Sequence, residues 1–304
     1  MKVGLLLPET EGQMDGETAR WADLRGMALA AERVGADSVW VTDHLLHRSD
    51  PDGGGDRGMW ECWSLMSALA AVTERVEIGA LVLCAAFRNP ALLAKMAATL
   101  DEISGGRLIL GLGAGWNEPE YRAFGYPFDH RVDRFEEALT IVHGLLREGR
   151  VDFGGAYSQA RDCELRPRGP RPEGPPILIG TTGPRMMRLT ARFADRWNVW
   201  FSPIGNDVRQ LAPLLAALDA ACAEVGRDPA EIERAAAVKI AVGPHAPSAM
   251  SVAPLTGSPA ELAAALDAYA RAGLAEVQVW LEPNTVAGIE AFAPTLELLG
   301  KGAR

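Results

Sequence analysis

Asp43 and His44 place an acid and an imidazole side by side, just after the run Ser38–Val41 with the sequence SVWV. Apolar and β-branched residues that stop at polar side chains are typical of a buried parallel strand, and α/β proteins bind ligands at the C-terminal ends of such strands. An imidazole takes up and releases protons near neutral pH, so this pair is a candidate for acid–base chemistry. The alternative is that His44 is an ordinary hydrogen-bonded side chain at a strand end.

Other segments have the same form, an apolar strand followed by a helical pattern. We expect eight strands, at residues 3–7, 38–41, 76–84, 107–112, 176–180, 196–200, 235–242 and 276–281. Strands that alternate with helices predict a parallel sheet, and eight such units close a (β/α)8 TIM barrel of about 250 residues plus insertions. The predicted fold class is therefore α/β, with residues 1–304 as a single domain and an insertion between strands 4 and 5, at about 117–175.

A barrel brings together strand ends that lie far apart in the sequence, because every strand has its C-terminal end at the same mouth. The insertion, with a predicted helix at 132–146 and a hairpin near 154–157, would form one wall of the pocket there. The loops 48–58 and 243–254 would form others, and the glycine-rich part of the first is a candidate mobile lid. The residues expected to converge at the mouth are Asp43, His44, Cys84, Gly115, Trp116, Gly180, Thr181, Trp200 and Glu282.

Composition and charge argue against several classes of protein. Thirty Lys and Arg against forty Asp and Glu give a formal net charge of −10, and no basic cluster suggests a nucleic-acid partner. No apolar run approaches the ~18 residues that a membrane helix needs, so no membrane contact is expected. The four cysteines lie far apart, as expected of reduced thiols in a cytoplasmic protein. The five histidines lack the spacing of metal ligands, so no metal site is predicted.

Three glycine-rich motifs could contact a cofactor. Residues 53–58 match G-x-G-x-x-G, but the motif starts about ten residues beyond its strand, whereas a dinucleotide site needs a direct strand-to-helix turn. The glycines of 111–115 (GLGAG) would let the backbone approach a flat ring closely. Either an anion site or a turn with solvated arginines would explain the motif GTTG at 180–183, which precedes a helix with three arginines, Arg185, Arg188 and Arg192.

Several of these segments together resemble the luciferase-like monooxygenase superfamily. The matching stretches are 37–45 (DSVWVTDHL), 88–95 (RNPALLAK), 103–116 (ISGGRLILGLGAGW), 176–180 (PILIG) and 194–198 (ADRWN). The resemblance extends from the first strand to the last helix. Within the superfamily the chain looks most like the branch that uses coenzyme F-420 (F420), an 8-hydroxy-5-deazaflavin, in place of FMN.

The resemblance implies a role for each candidate residue. His44 would lie near the reactive face of the deazaflavin as acid, base or electrostatic partner, with Asp43 beside it. A cis peptide near Leu81 and Val82 would back the ring. Further cofactor contacts would come from Cys84, where relatives often have a hydroxyl residue, from Gly115 and Trp116 beside the ring or the substrate, and from Gly180, Thr181 and Gly183 at the phosphate.

These residues lead to three hypotheses about function. The first is an F420-dependent oxidoreductase that moves a hydride between C5 of the deazaflavin and a small organic substrate, with His44 handling the accompanying proton. The second is an FMN-dependent monooxygenase with the same fold, and the third is a barrel that binds a ligand without turnover. Some sugar-oxidising members of the superfamily carry a catalytic Glu where Trp116 stands, so that chemistry is not expected. The resemblance also implies a homodimer.

Overall fold

The structure, a computed structural model, describes residues 1–48, 56–243 and 252–302. In chain order these residues form β1 (Lys2–Leu6), α1 (Trp21–Arg33), β2 (Ser38–Val41), β3 (Leu46–His47), β4 (Arg57–Gly58), α2 (Cys62–Val72), β5 (Glu77–Ala80), β6 (Leu83–Cys84), α3 (Pro90–Ser104), β7 (Leu108–Gly113), α4 (Glu118–Phe124), α5 (Arg131–Glu148), β8 (Arg150–Gly154), β9 (Gln159–Glu164), β10 (Ile177–Gly180), α6 (Pro184–Phe193), β11 (Arg196–Val199), α7 (Ala212–Val225), β12 (Glu233–Ala241), α8 (Pro259–Arg271), β13 (Glu276–Glu282) and α9 (Val286–Leu298). The greater part of the predicted lid, residues 49–55, and most of the loop 243–254 lie outside the described residues.

Eight parallel strands close into a barrel, in the order β1, β2, β5, β7, β10, β11, β12 and β13. The ring closes where β13 pairs with β1, with Glu276 opposite Lys2, and β7 joins β10, with Leu112 opposite Ile179. The predicted TIM barrel is therefore confirmed. Each barrel strand is followed by a helix, and α4 is an additional helix in the insertion.

Two apolar layers hold the barrel together, because successive side chains of a strand point to opposite faces. On β1, for example, Leu5 belongs to the large cluster between the strands and the surrounding helices. Its neighbour Leu6 belongs to a separate cluster that fills the ring together with Trp40, Leu81, Ile109, Leu178, Phe201 and Ala237. The filled interior leaves the C-terminal end of the barrel as the place for a ligand.

The third predicted strand, 76–84, is divided in two. Its parts, β5 and β6, both pair with β7, and the peptide bond between Leu81 and Val82 is cis, at the position that the family resemblance implied. A Cβ atom on Gly113 would lie 2.6 Å from Val82 Cγ2, and one on Gly180 would lie 3.0 Å from Val82 Cγ1. Gly113 and Gly180 therefore make room for the Val82 side chain. The close approach of a flat ring to the glycines of 111–115 stays a prediction.

The insertion lies between β7 and β10, as predicted, and contains α4, α5 and the β8–β9 hairpin. The carboxylate of Glu137 on α5 accepts hydrogen bonds from the amides of Ala156, Tyr157 and Ser158 in the hairpin turn, at 2.7 to 2.8 Å. One partly buried acid thus fixes the hairpin against the helix.

A partly buried ion-pair network lies at the opposite, N-terminal end of the barrel. Arg196 on β11 approaches Glu276 at 3.4 Å, Glu77 at 3.3 Å and Glu233 at 2.9 Å. Ser38 donates to Glu276 at 2.5 Å. Burial raises the pKa of Glu276 to about 7, although the bond from Ser38 and the charge of Arg196 lower it. These groups link five strands and lie away from the mouth, so we assign them to stability.

Among the described residues, no helix is long and apolar enough to cross a membrane. Within the same residues, no group of three or more His, Cys, Asp or Glu side chains is arranged to hold a metal ion.

Candidate active site

A cavity of about 1130 Å³ opens at the C-terminal end of the barrel, and we call it the main cavity. The structure brings all ten predicted site residues to its wall. They are Asp43, His44, Leu81, Val82, Cys84, Gly115, Trp116, Gly180, Thr181 and Gly183. Their individual roles stay predictions, and their hydrogen-bond partners decide what each one can do.

His44 is held in place by an acid from the insertion. Its Nδ1 lies 2.9 Å from Glu120 Oε1, and Glu120 Oε2 accepts the backbone N–H of Leu45 at 2.9 Å. Glu120 is buried, whereas 17% of the His44 side chain is exposed. An ionised carboxylate only accepts hydrogen bonds, so this contact favours a proton on Nδ1 and leaves Nε2 as the nitrogen that can meet a ligand.

Asp43 does not pair with His44. Its buried carboxylate receives two hydrogen bonds from Arg88, at 2.6 and 3.0 Å, and one from the backbone N–H of Cys84, at 2.8 Å. Arg88 also contacts Glu61, the N-cap of α2. Burial disfavours the charge of Arg88, but the bonds to Asp43 raise its pKa above the ordinary value. Asp43 therefore ties β2 to β6 and α3, and the position of His44 depends on that connection.

Glu9 is a buried acid that follows β1 and lines the main cavity. Its Oε1 accepts hydrogen bonds from the backbone N–H of Thr42, at 3.2 Å, and from the Thr42 hydroxyl. Its Oε2 has no hydrogen-bond partner among the described residues. Burial raises the pKa of Glu9 to about 7, although the bonds from Thr42 lower it. Glu9 can therefore hold or release a proton at neutral pH.

Cys84 is engaged by the insertion. Its Sγ lies 2.8 Å from the hydroxyl of Tyr121, which donates to the carbonyl of Ala114 at 2.9 Å. Gly115 has a φ of +73°, and a Cβ there would collide with the Tyr121 hydroxyl. Burial raises the pKa of Cys84 to about 12, so the thiol stays protonated and its main contact is Tyr121.

Aromatic side chains form the rim of the main cavity. The ring of Trp116, which is 52% exposed, lies edge-on to His44 with 5.4 Å between centroids. His47 on β3 lies 4.3 Å from the His44 ring and 6.0 Å from Trp116. Trp116 thus lies where it can cover the His44 imidazole or a molecule beside it.

The predicted phosphate loop leads into α6. Gly183 is the N-cap of this helix and Pro184 its first residue. The N–H of Thr181 donates to the carbonyl of Asn198 at 3.1 Å, and that of Gly183 donates to the Thr181 hydroxyl at 3.2 Å. The amides that remain for an anion are those of the first helical turn, which the helix itself cannot satisfy.

Two of the three arginines after this loop face α5. Arg185 pairs with Asp133 at 2.6 Å and with Glu136 at 2.9 Å, and Arg192 pairs with Glu136 at 3.2 Å. Their charges are therefore used by helix–helix ion pairs, so an anion at the loop would be held by the backbone amides and not by Arg185 or Arg192.

The far wall of the main cavity is formed by the last strands. Trp200 and Trp280 lie with their rings perpendicular, 6.1 Å between centroids. The fully buried Lys239 donates to the carbonyl of Val252 at 2.9 Å and lies 3.4 Å from Glu282. Trp200 and Glu282 therefore reach the mouth as predicted. Glu282 forms an ion pair there with Lys239.

The sequence model of luciferase-like monooxygenases matches residues 1–282. The chain belongs to the luciferase-like monooxygenase family. The resemblance found in the sequence is thereby confirmed.

Individual relatives of this luciferase-like protein carry out different reactions. Pyrimidine monooxygenase RutA of Cronobacter sakazakii is 35% identical over 184 residues, 58% of this chain and 53% of that protein. F420-dependent glucose-6-phosphate dehydrogenase of Amycolatopsis mediterranei is 37% identical over 180 residues, 57% of this chain and 51% of that protein. The chain thus matches about half the length of these curated relatives.

A solved structure shares the fold over its whole length. The F420-dependent secondary alcohol dehydrogenase in complex with an F420–acetone adduct matches with a TM-score of 0.80 and 20% identity, over 97% of this chain and 98% of that chain. At this identity the match shows a common fold.

Two acids of this luciferase-like site were missed from the sequence. Glu9 follows an apolar strand, so the reasoning that singled out Asp43 and His44 could have found it. Glu120 lies 76 residues from His44, on a helix of the insertion. No local pattern indicates that pairing, because it depends on how the insertion folds over the mouth.

Proposed function

We propose that the protein is an F420-dependent oxidoreductase that moves a hydride between the deazaflavin and a small organic substrate. The observation that carries the proposal is the geometry of His44, whose Nδ1 is held by Glu120 while the imidazole remains accessible in the main cavity. The F420-dependent relative from Amycolatopsis mediterranei supports the choice of cofactor.

The residues of the main cavity fit a tricyclic cofactor. Its volume of about 1130 Å³ exceeds the ~300–1,000 Å³ of a typical single-ligand pocket, so it has room for a ring system and a second small molecule. Leu81 and Val82 offer an apolar wall, and Glu9 offers a carboxylate oxygen to which no described residue donates a hydrogen bond. The amides at the start of α6 would hold the phosphate, and Gly115 and Trp116 would lie beside the ring or the substrate.

The cofactor would supply a carbon centre, C5, that accepts or donates a hydride. The work of the protein is to bind the reactants, to exclude water and to handle one proton. With Nδ1 bonded to Glu120, Nε2 of His44 can take a proton from a substrate hydroxyl or return it. Glu9, with a pKa near 7, is a second group that can hold a proton in the same cavity.

The second candidate is an FMN-dependent monooxygenase, favoured by the 35% identity to pyrimidine monooxygenase RutA. FMN would supply a flavin ring that reacts with oxygen. The protein would use the same wall and the same phosphate loop, so the two candidates differ in the ring that is bound.

Fluorescence titration of the purified protein with F420 and with FMN tests the proposal. We expect saturable F420 binding and, in His44→Ala, a loss of turnover of at least 100-fold with F420 affinity changed less than about threefold. His143→Gln is the matched control, because His143 lies on α5 and packs against Phe193 outside the main cavity.

Tight binding of FMN alone would replace the leading proposal with the second candidate. Binding of neither cofactor would favour the third hypothesis, a barrel without turnover. Full activity in His44→Ala would remove the proton role from this residue.

We also retain three predictions that concern the whole protein. A small-molecule substrate, a homodimer and a cytoplasmic location are expected from the sequence and the family. Sedimentation of the purified protein measures directly whether it is a homodimer.

A further inference from the structure

A second cavity of about 400 Å³ lies beside the main cavity, and we call it the side cavity. It is bounded by the starts of α3 and α5 and by the β8–β9 hairpin. Ala114 and Arg131 line both cavities. Arg131 is the first residue of α5, so the two cavities meet at the beginning of this helix.

The described residues that line the side cavity include three arginines and no acid. Arg88 is neutralised by Asp43 and Glu61, and Arg134 lies 3.1 Å from the exposed Asp129. Arg131 differs from these two arginines, because no carboxylate of the described residues pairs with it. In a chain with a net charge of −10, a cavity without acids is a local exception.

Arg131 has no carboxylate within ion-pair distance among the residues that the structure describes. Its guanidinium lies over the ring of Phe128, 4.0 Å from the centroid. This contact fixes the side chain but leaves its N–H donors available. A guanidinium in this situation is suited to a carboxylate or a phosphate.

The position of Arg131 links the predicted phosphate loop to the side cavity. Arg131 and Thr181 line the same main cavity. The first turns of α5 and α6 are neighbours, because Arg185 on α6 pairs with Asp133 on α5 at 2.6 Å. An anionic group at the start of α6 would therefore lie beside Arg131, and a chain attached to it could continue into the side cavity.

The outer wall of the side cavity is polar and fixed. Tyr157 stacks on His130, 5.4 Å between centroids, and Arg134 lies 4.5 Å from the centre of the same Tyr157 ring. Ser158 and Gln159 add hydrogen-bonding side chains. The hairpin turn that carries these residues is bound to α5 by Glu137, so the wall is preorganised.

We propose that the side cavity binds carboxylates or phosphate carried on a flexible chain by the molecule in the main cavity, with Arg131 as the principal contact. This inference rests on the proposed function. Two sources share the chemistry: the side chain of F420, in which a phosphate is followed by glutamates, and a substrate with an acidic arm. FMN ends at its phosphate, so it would not reach the side cavity.

Measuring the affinity for three deazaflavin forms separates the contributions of the ring, the phosphate and the glutamates to binding. The first form has neither phosphate nor glutamates, the second has the phosphate alone and the third has several glutamates. We expect wild type to bind the third about tenfold more tightly than the second, with a smaller ratio at high salt. In Arg131→Gln the ratio should fall to near one. Arg161→Gln is the control, because Arg161 is an exposed arginine of the same hairpin that does not line the side cavity.

Each result has a definite meaning once circular dichroism shows that the variants are folded. A loss of affinity in Arg131→Gln for the third form alone supports the inference and places Arg131 on the glutamates. An equal loss for both phosphate-bearing forms, but not for the first form, supports it and places Arg131 on the phosphate. A rise in KM for an acidic substrate alone supports it with the substrate as the source. Unchanged affinities and KM values overturn it, while binding of the first form still supports the proposed function. If wild type binds none of the three deazaflavin forms, both the proposed function and this inference are wrong.

Discussion

The imidazole of His44 and the carboxylate of Glu120 lie 2.9 Å apart, although 76 residues separate them in the chain. Glu120 uses both oxygens, one for His44 and the other for the N–H of Leu45 at 2.9 Å. The segment that follows barrel strand β2 thus supplies the imidazole, and a helix of the insertion determines its orientation. Glu120 is a positioning residue.

Glu120→Gln should reduce turnover by about 10- to 100-fold and leave cofactor affinity nearly unchanged. Glutamine has one acceptor oxygen, so it can accept from His44 or from Leu45 but not from both. The His44 ring should lose its fixed orientation and its preference for a proton on Nδ1. Nitrogen-15 NMR of labelled histidine reports the two ring nitrogens separately and detects this change without any cofactor.

The matched control for this variant is Glu118→Gln. Glu118 lies on the same helix, is half exposed and pairs with Arg122. Its replacement should leave the His44 resonances in place. Identical His44 spectra in wild type and Glu120→Gln would contradict the positioning role.

Glu9→Gln should make stability less dependent on pH. The folded protein holds the Glu9 proton up to a pKa of about 7, whereas the reference value is 4.5. Between these values the unfolded chain releases the proton first, so the free energy of unfolding falls as pH rises and the loss is complete above pH 7. Because one pKa unit corresponds to about 1.4 kcal/mol, wild type should lose about 3 kcal/mol of its free energy of unfolding through Glu9 as pH rises. Glu9→Gln should not show this loss.

Urea unfolding at pH 5 and pH 8 measures this difference. Wild type carries a second contribution of the same sign from Glu276, whose pKa is also raised to about 7, so the comparison of wild type with Glu9→Gln isolates Glu9. Glu290→Gln, at an exposed acid paired with Arg33, should behave like wild type. An equal pH dependence in Glu9→Gln and wild type would rule out a protonated Glu9.

Arg196→Met should destabilise the protein by about 3–5 kcal/mol, because it leaves Glu276 buried without its cation. The loss should be larger at pH 8 than at pH 5, since Glu276 is neutral below its pKa of about 7. Arg209→Met is the control, because Arg209 is 85% exposed and pairs with Asp207 on the surface; it should change stability by less than about 0.5 kcal/mol. A similar small effect in Arg196→Met would show that the network is dispensable.

The barrel could be predicted because its signals are local. Each strand is a short apolar run, and each helix begins or ends at a residue that the sequence reveals, such as Asn89 before Pro90 or Gly105 after α3. The strand ends therefore identified the mouth, and the ten candidate residues do line one cavity.

The partners of those residues could not be predicted, because they depend on tertiary contacts. The sequence placed Asp43 beside His44 and did not indicate the partner of either residue: Asp43 pairs with Arg88 and His44 with Glu120. The arginines Arg185 and Arg192 looked available for an anion, but α5 supplies Glu136 to both. Helical spacing shows that charges share a face and does not show what that face meets.

The glycines of β7 give a further prediction that separates two kinds of close contact. A Cβ on Gly113 would meet the side chain of Val82, whereas a Cβ on Gly111 would collide with the backbone carbonyl of Ala80. Gly113→Ala should therefore cost about 1–3 kcal/mol, and adding Val82→Ala should restore more than half of that loss. Gly111→Ala should not be rescued by Val82→Ala, because a backbone atom cannot be trimmed. Denaturant unfolding of the single and double variants measures both couplings, and equal rescue at the two glycines would contradict this account of how β7 accommodates Val82.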